Sequence, residues 1–289
     1  MSPEASYTLP GGWLDRRGGC QRQGVLRPLH GVDEEWLYTL PPHVPQASVL
    51  VSLLARCVKR IGPYKVSRRM IRALPIADGD YLALRLHQLT FGDRVERVLA
   101  CPSPTCGARM DVDFDLGQLP VEARPQQPRY VVRLDGPEAR EVGFRLPHLG
   151  DVEEAGLTED PERALLSRCI LDIDGQASDV ERVVVTLSAE SLERIDAAME
   201  RASPRVEGTI EATCPECGQP FSTGFDAGAS LLAELSQRRR DFDRSVHLLS
   251  LHYHWPLGEI LGMPRERRRH WVRLLSAELD MAAGVTSLE

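Results

Sequence analysis

CPSPTCG at 101–107 and CPECG at 214–218 are the two stretches on which the fold of this chain turns. In each, a pair of thiols is followed directly by a glycine, Gly107 or Gly218, which lets the backbone reverse sharply. A short spacer between two cysteines lets both thiolates reach one tetrahedral ion, so each stretch reads as a zinc knuckle. Free thiols or redox pairs would use the same residues. The spacer in the first pair, Cys101 and Cys106, is wider than the usual two residues and contains Pro104. Four thiolates would complete a coordination shell and leave no position for water or substrate, so the expected site is structural.

One knuckle supplies half a site. Either each pair finds other ligands, or Cys101, Cys106, Cys214 and Cys217 meet around one Zn2+ per chain. The rest of the sequence favours meeting, because the knuckles close two matching series. The first runs Arg27, His30, Asp33 and Glu35, then LLARC ending at Cys57, Arg94-Val95-Glu96, the knuckle, and Phe114-Asp115. The second runs Arg145, His148, Asp151 and Glu153, then LLSRC ending at Cys169, Arg205-Val206-Glu207, the knuckle, and Phe225-Asp226. Five matches in one order, at offsets between 111 and 118, point to an internal duplication. Two pseudo-symmetric lobes would then share a single ion. Cys57 and Cys169 read as small buried helix residues.

The implied fold class is α+β: two pseudo-repeated lobes, each with helices and a zinc-knuckle ribbon, and a C-terminal helical tail. The expected divisions are an N-terminal arm at 1–24, a first lobe at 25–119, a linker at 120–129, a second lobe at 130–226 and the tail at 227–289. Pro120, Pro125 and Pro128 mark the linker within 118–129. Asp33 and Asp151 are expected as helix N-caps. Val49 to Ile61 has helical spacing, and so has Tyr81 to Leu89 after the turn signal Asp78-Gly79-Asp80. Val95 and Val98, with the alternation Met110, Val112 and Phe114, predict an antiparallel ribbon around the first knuckle. Tyr130 to Leu134 and Val142 to Leu146 predict a strand pair turning at Asp135-Gly136. Beyond Phe225, apolar residues from Leu231 to Tyr253 recur at threes and fours along one helix ended by Pro256. A short helix at Leu257 to Leu261 and a longer one from Pro264 to about Leu279 follow.

At 289 residues, 42% apolar and 27% charged, the chain has the composition of an ordinary globular protein. No apolar run is long enough to span a bilayer, and the first residues lack the pattern of a signal peptide, so assembly in the cytoplasm without membrane insertion is expected. Seven cysteines, an odd count, suit metal and reduced thiols better than a disulfide framework. The net charge of −7 weighs against nucleic acid. There is no phosphate loop, HExxH or GxSxG, and the matched His30 and His148 read as structural, so no enzyme is expected. The tail instead carries interface residues. Tyr253, Trp255 and Trp271, with Arg265 and Arg268 from the run 265–269, are expected to bind a protein partner.

GDYLALRLHQLTFGDRVERVLACPSPTCG at 79–107, with DVDFDL at 111–116 and VLRPLHGVDEEWL at 25–37, resembles the T4-like baseplate hub assembly chaperone family of contractile phage tails and contractile injection systems. The ending HYHWPLGEILGMPRERRRHWVRLL at 252–275 is similar to tryptophan-bearing helical ends of tail-assembly proteins, and the likeness spans about residues 22 to 280. It implies a non-enzymatic protein that helps build the baseplate hub or stays in the particle. Hub, spike or tail-tube proteins would be its partners, with no small-molecule substrate. The four cysteines match the family's ribbon-like cysteines by position. A zinc-ribbon nucleic-acid binder acting in transcription is the rival from another class, disfavoured by the lack of clustered cations near CPECG.

Overall fold

The computed structural model describes residues 4–135, 139–177, 180–206 and 208–286. The N-terminal segment forms β1 (Ala5–Leu14) and β2 (Cys20–Leu26), followed by α1 (Gly31–Tyr38), α2 (Gln46–Cys57), β3 (Val58–Ile61), β4 (Tyr64–Lys65), α3 (Arg68–Arg72) and α4 (Ile76–Phe91). The four strands make one antiparallel sheet in the order β1-β2-β3-β4. A ribbon of β5 (Arg94–Ala100) and β6 (Arg109–Asp115) comes next. Residues 1–24, expected as an arm, therefore supply one strand and much of another, and Tyr7 and Leu9 are buried in the core.

The second half begins with the hairpin β8 (Tyr130–Leu134) and β9 (Arg140–Phe144), which matches the expected strand pair; Gly136 of its turn lies outside the described residues. Then come α5 (Leu149–Ala155), α6 (Pro161–Cys169), β10 (Ile170–Ile173), α7 (Val180–Thr186) and α8 (Ala189–Ala202). The sheet order is β10-β9-β8, and β12 (Thr209–Thr213) and β13 (Pro220–Gly224) form a second ribbon. Before the hairpin, β7 (Val121–Glu122) pairs with β11 (Arg205–Val206). Arg124 and Gln126 donate backbone bonds to Pro10 and Gly11, so the proline-rich 118–129 segment lies along β1.

Two cores result. The larger joins Leu9 and Leu26 of the first sheet to Leu53 and Leu54 of α2, Leu82 and Leu86 of α4, and Leu231 and Leu235 of the tail. The smaller encloses Val142, Phe144, Cys169, Ile173, Ile195 and Met199. Each core sits beside the same local arrangement. Arg27 forks onto Asp33 at 2.6 and 3.1 Å and donates to the Arg56 carbonyl, while its backbone N–H reaches Cys57. Arg145 forks onto Asp151 at 2.6 and 2.8 Å and donates to the Arg168 carbonyl, while its N–H reaches Cys169. Both cysteines are fully buried at helix ends, as expected.

Several elements differ from the sequence expectation. The N-caps are His30 and His148, not Asp33 and Asp151; each aspartate sits at the third helical position and accepts the cap residue's N–H. The arginine fork draws the carboxylate inside the first turn, where the helix dipole also favours it. Helix α2 stops at Cys57 because Val58 to Ile61 are taken as a strand by β2. Asp78 and Gly79 do not turn the chain; both lie in the first turn of α4. The buried Asp78 carboxylate accepts the N–H groups of Gly11 at 2.7 Å and Gly12 at 2.6 Å, where β1 carries a register shift and Gly12 has φ of 98°. Gly79 lies so close to Leu149 that a Cβ would come within 2.6 Å of its side chain.

Among the described residues the tail forms four helices rather than three: α9 (Ala227–Gln237), α10 (Arg239–Tyr253), α11 (Leu257–Gly262) and α12 (Arg265–Thr286). The break at Arg238 separates the expected single stripe, and Phe242 packs on Tyr38 with ring centroids 5.2 Å apart. The turn into α12 docks on α1: Gly31 N–H donates to Met263 and Arg265 N–H to Leu29. The turn into α4 docks on α5 by the same two bonds, Leu149 N–H to Leu74 and Ile76 N–H to Pro147. Among the described residues no helix is long and apolar enough to cross a membrane.

Candidate metal centre

Each ribbon presents a cysteine pair at its tip. Seven consecutive register pairs from Arg94↔Asp115 to Ala100↔Arg109 carry the β5–β6 ribbon out to Cys101, and five from Thr209↔Gly224 to Thr213↔Pro220 carry β12–β13 to Cys214. The tips close by short backbone bonds: Cys101 N–H to Ala108 at 2.8 Å and Gly107 N–H to Ser103 in the first, Cys214 N–H to Gln219 and Gly218 N–H to Cys214 in the second. Gly107 and Gly218 take φ of 58° and 72°, the left-handed region where a side chain is strained. Local sequence thus sets both loops.

Tertiary structure then brings the two tips together. Cys101 Sγ lies 3.7 Å from Cys217 Sγ, and Cys106 Sγ 3.8 Å from Cys214 Sγ, so both close pairs run between ribbons. All four sulfurs lie within 4.8 Å of one another. None is in a disulfide. A tetrahedron with metal–sulfur bonds of about 2.3 Å has edges of about 3.8 Å. The two contacts between ribbons match that spacing, and the four sulfurs together could hold one metal ion. At the ribbon bases Phe114 and Phe225 meet edge to face at 5.1 Å, and Met110 packs against Cys101 and Cys214 beneath the cluster.

The electrostatics of the thiols suit a cation site. Backbone N–H groups of Cys217 and Glu216 bring the Cys214 thiol down to about 7, so it ionises readily. The Ser103 N–H acts the same way on Cys101, but burial and the three neighbouring thiols outweigh it and push Cys101 up to about 12. Four close sulfurs resist carrying negative charge together unless a cation shares it. Cys101 and Cys214 are buried and Cys217 is exposed, so the cluster sits at the surface end of its own small core.

Elsewhere, the five residues expected to bind a partner divide. Tyr253, Trp255 and Trp271 pack on one another with centroids 4.8 to 5.9 Å apart and remain half-buried, beside the exposed Leu251 and Leu257. Arg265 and Arg268 face inward instead. They are 3% and 1% exposed, and both pair with the buried carboxylate of Glu34. The sequence reading puts both on a partner-binding surface; Glu34, on α1, is what turns them into the core. The other site feature missed by sequence reasoning is the Asp78 carboxylate, whose burial raises its pKa to about 6 against the two glycine N–H groups.

A model of the family described as T4 bacteriophage base plate protein matches residues 39–226. Neither the curated proteins nor the solved structures contain a match. The matched range holds both ribbons and all four cysteines, and is narrower than the expected span. Residues 1–38 and the helical tail lie outside it.

Proposed function

The chain belongs to the T4 bacteriophage base plate protein family, and from that premise we propose that it is a non-enzymatic structural or assembly protein of a contractile-tail baseplate hub, clasped by one structural zinc ion. The observation that carries this reading is the family match across residues 39–226, the range containing the four-sulfur cluster. A site with four thiolates has no open position for catalysis. All-sulfur tetrahedral geometry selects zinc over the oxygen-preferring cations.

We further read the two halves as an internal duplication, each contributing one knuckle. The matched Arg–Asp forks and the equivalent docking of α4 and α12 support it. The tail's aromatic cluster and the exposed Leu251 and Leu257 would meet a hub, spike or tail-tube protein during assembly in the host cytoplasm. Nucleic-acid binding is disfavoured by the net charge of −7, and two of the ribbon arginines already face acids, Arg94 with Asp113 and Arg97 with Glu234.

The test is co-expression of the tagged chain with the other products of its gene cluster, followed by mass spectrometry of the purified complex and metal analysis. Baseplate or tail-tube proteins should co-purify with about one zinc per chain. The exposed pair Leu251→Asp and Leu257→Asp should lose them while the zinc stays. Recovery of nucleic acid or polymerase subunits instead would sink the reading. Deleting the tail is a poorer test, since it would strip Glu34 of both its cations.

A further inference from the structure

The face between α10 and α12 holds an excess of positive charge that the chain's own acids do not match. A cavity of about 180 Å³ there is lined by Arg244, Arg265, Arg268, Arg269 and Arg273, with Asp241 the one carboxylate among its described lining residues. Its inner wall is the buried pair. Glu34 gives one carboxylate oxygen to Arg265 and the other to Arg268, so two buried guanidiniums share a single negative charge. Ser245 accepts from Arg268 Nε at 3.1 Å, and the Phe242 ring lies 4.9 Å beneath the same guanidinium. These contacts orient Arg268 without neutralising it. Arg265 Nε and Arg268 Nη1 are buried and have no hydrogen-bond partner among the described residues.

The rim adds to the excess. Arg244, Arg269 and Arg273 are exposed and make no ion pair among the described residues. A buried cation without a counter-charge is costly, and a guanidinium fork is shaped to receive two oxygens of one planar or tetrahedral anion. The cavity is smaller than the ~300–1,000 Å³ of a site for a whole cofactor, which limits the occupant to one small group.

We propose that this cavity is an oxyanion site, taking a single phosphate or carboxylate group against Arg265 and Arg268 with Arg244, Arg269 and Arg273 closing around it. Burial already holds the Arg265 guanidinium below its ordinary pKa, and Arg268 and Arg238 push the same way against Glu34. An anion would relieve that strain on the charged form. The site is independent of the baseplate reading, because it lies in the tail, outside the family match.

The experiment is thermal unfolding and calorimetry of the full chain titrated with sodium phosphate, and separately with sodium acetate, each against sodium chloride at equal ionic strength. The comparison protein is the double variant Arg244→Gln with Arg273→Gln, which leaves Glu34 and its two partners in place. A saturable rise in the unfolding midpoint is expected, with affinity weakened about tenfold in the variant through loss of charge-assisted bonds. A response to phosphate alone assigns the site to free phosphate. A response to acetate assigns it to a carboxylate such as a partner's acidic side chain. No saturable shift with either anion, or equal shifts in both proteins, overturns the proposal.

Discussion

Glu34 holds both inward-facing arginines of α12 with its two carboxylate oxygens, 231 and 234 residues away in sequence. Glu34→Ala leaves two buried guanidiniums unpaired and should cost about 3–5 kcal/mol. Urea unfolding should show this as a lower midpoint with an unchanged slope. Cys214→Ser tests the other charge centre. With only three thiolates left, the chain should purify with less than one zinc and unfold several degrees lower, since metal-binding energy in such a site is also folding energy. His148 makes a third prediction. Burial, with Arg145 adding to it against Asp151, lowers its pKa to about 4 from the ordinary value near 6.5. The unfolded chain therefore binds the proton more readily, and this group's contribution to stability is lost as pH falls from about 6.5 towards 4. Comparing unfolding free energies of the wild type and His148→Asn across that window should show a steeper decline in the wild type.

At the scale of elements, the start of α4 shows how tertiary contacts override local signals. Asp78-Gly79-Asp80 has the composition of a turn, yet it forms helix because Asp78 is needed against Gly11 and Gly12, and Gly79 against Leu149. Gly79→Ala improves helix propensity but puts a Cβ within 2.6 Å of Leu149, so it should destabilise by about 1–3 kcal/mol. A stabilised variant would show that propensity wins here. The first ribbon, by contrast, is legible from alternation: Val95, Met110 and Phe114 share one face of a two-stranded unit, β5–β6. Helix α2 ends at Cys57, short of the expected Ile61, for the opposite reason. Val58 and Ile61 suit the apolar side of either a helix or a strand while Lys59 and Arg60 stay exposed, and only the edge of β2 decides.

At the scale of the molecule, the four sulfurs link ribbons from the two halves of the chain. Each ribbon by itself is a two-stranded unit of marginal stability. Chelation should therefore loosen more than the tips. Hydrogen exchange should accelerate through both β5–β6 and β12–β13 and around Phe114 and Phe225. Exchange confined to the cysteine loops would mean that packing at the ribbon bases holds the halves together without metal. The ion pairs of Glu153 with Arg68 and Arg72 also cross between the halves, and they set the protection that should remain.

The sequence by itself brought out the two cysteine pairs, the ribbon around the first of them and the buried helix-end cysteines. Each depends on spacing within a few residues: a cysteine pair and its glycine, an alternation, a cysteine closing LLARC or LLSRC. Only the tertiary structure decided which arginines of 265–269 face inward, that Asp78 is buried against a strand bulge, and that residues 1–24 complete the core sheet rather than trail from it. Those outcomes rest on partners tens to hundreds of residues away. A charge or a glycine has no local pattern that announces such a partner, because its cost or benefit exists only once the partner is beside it.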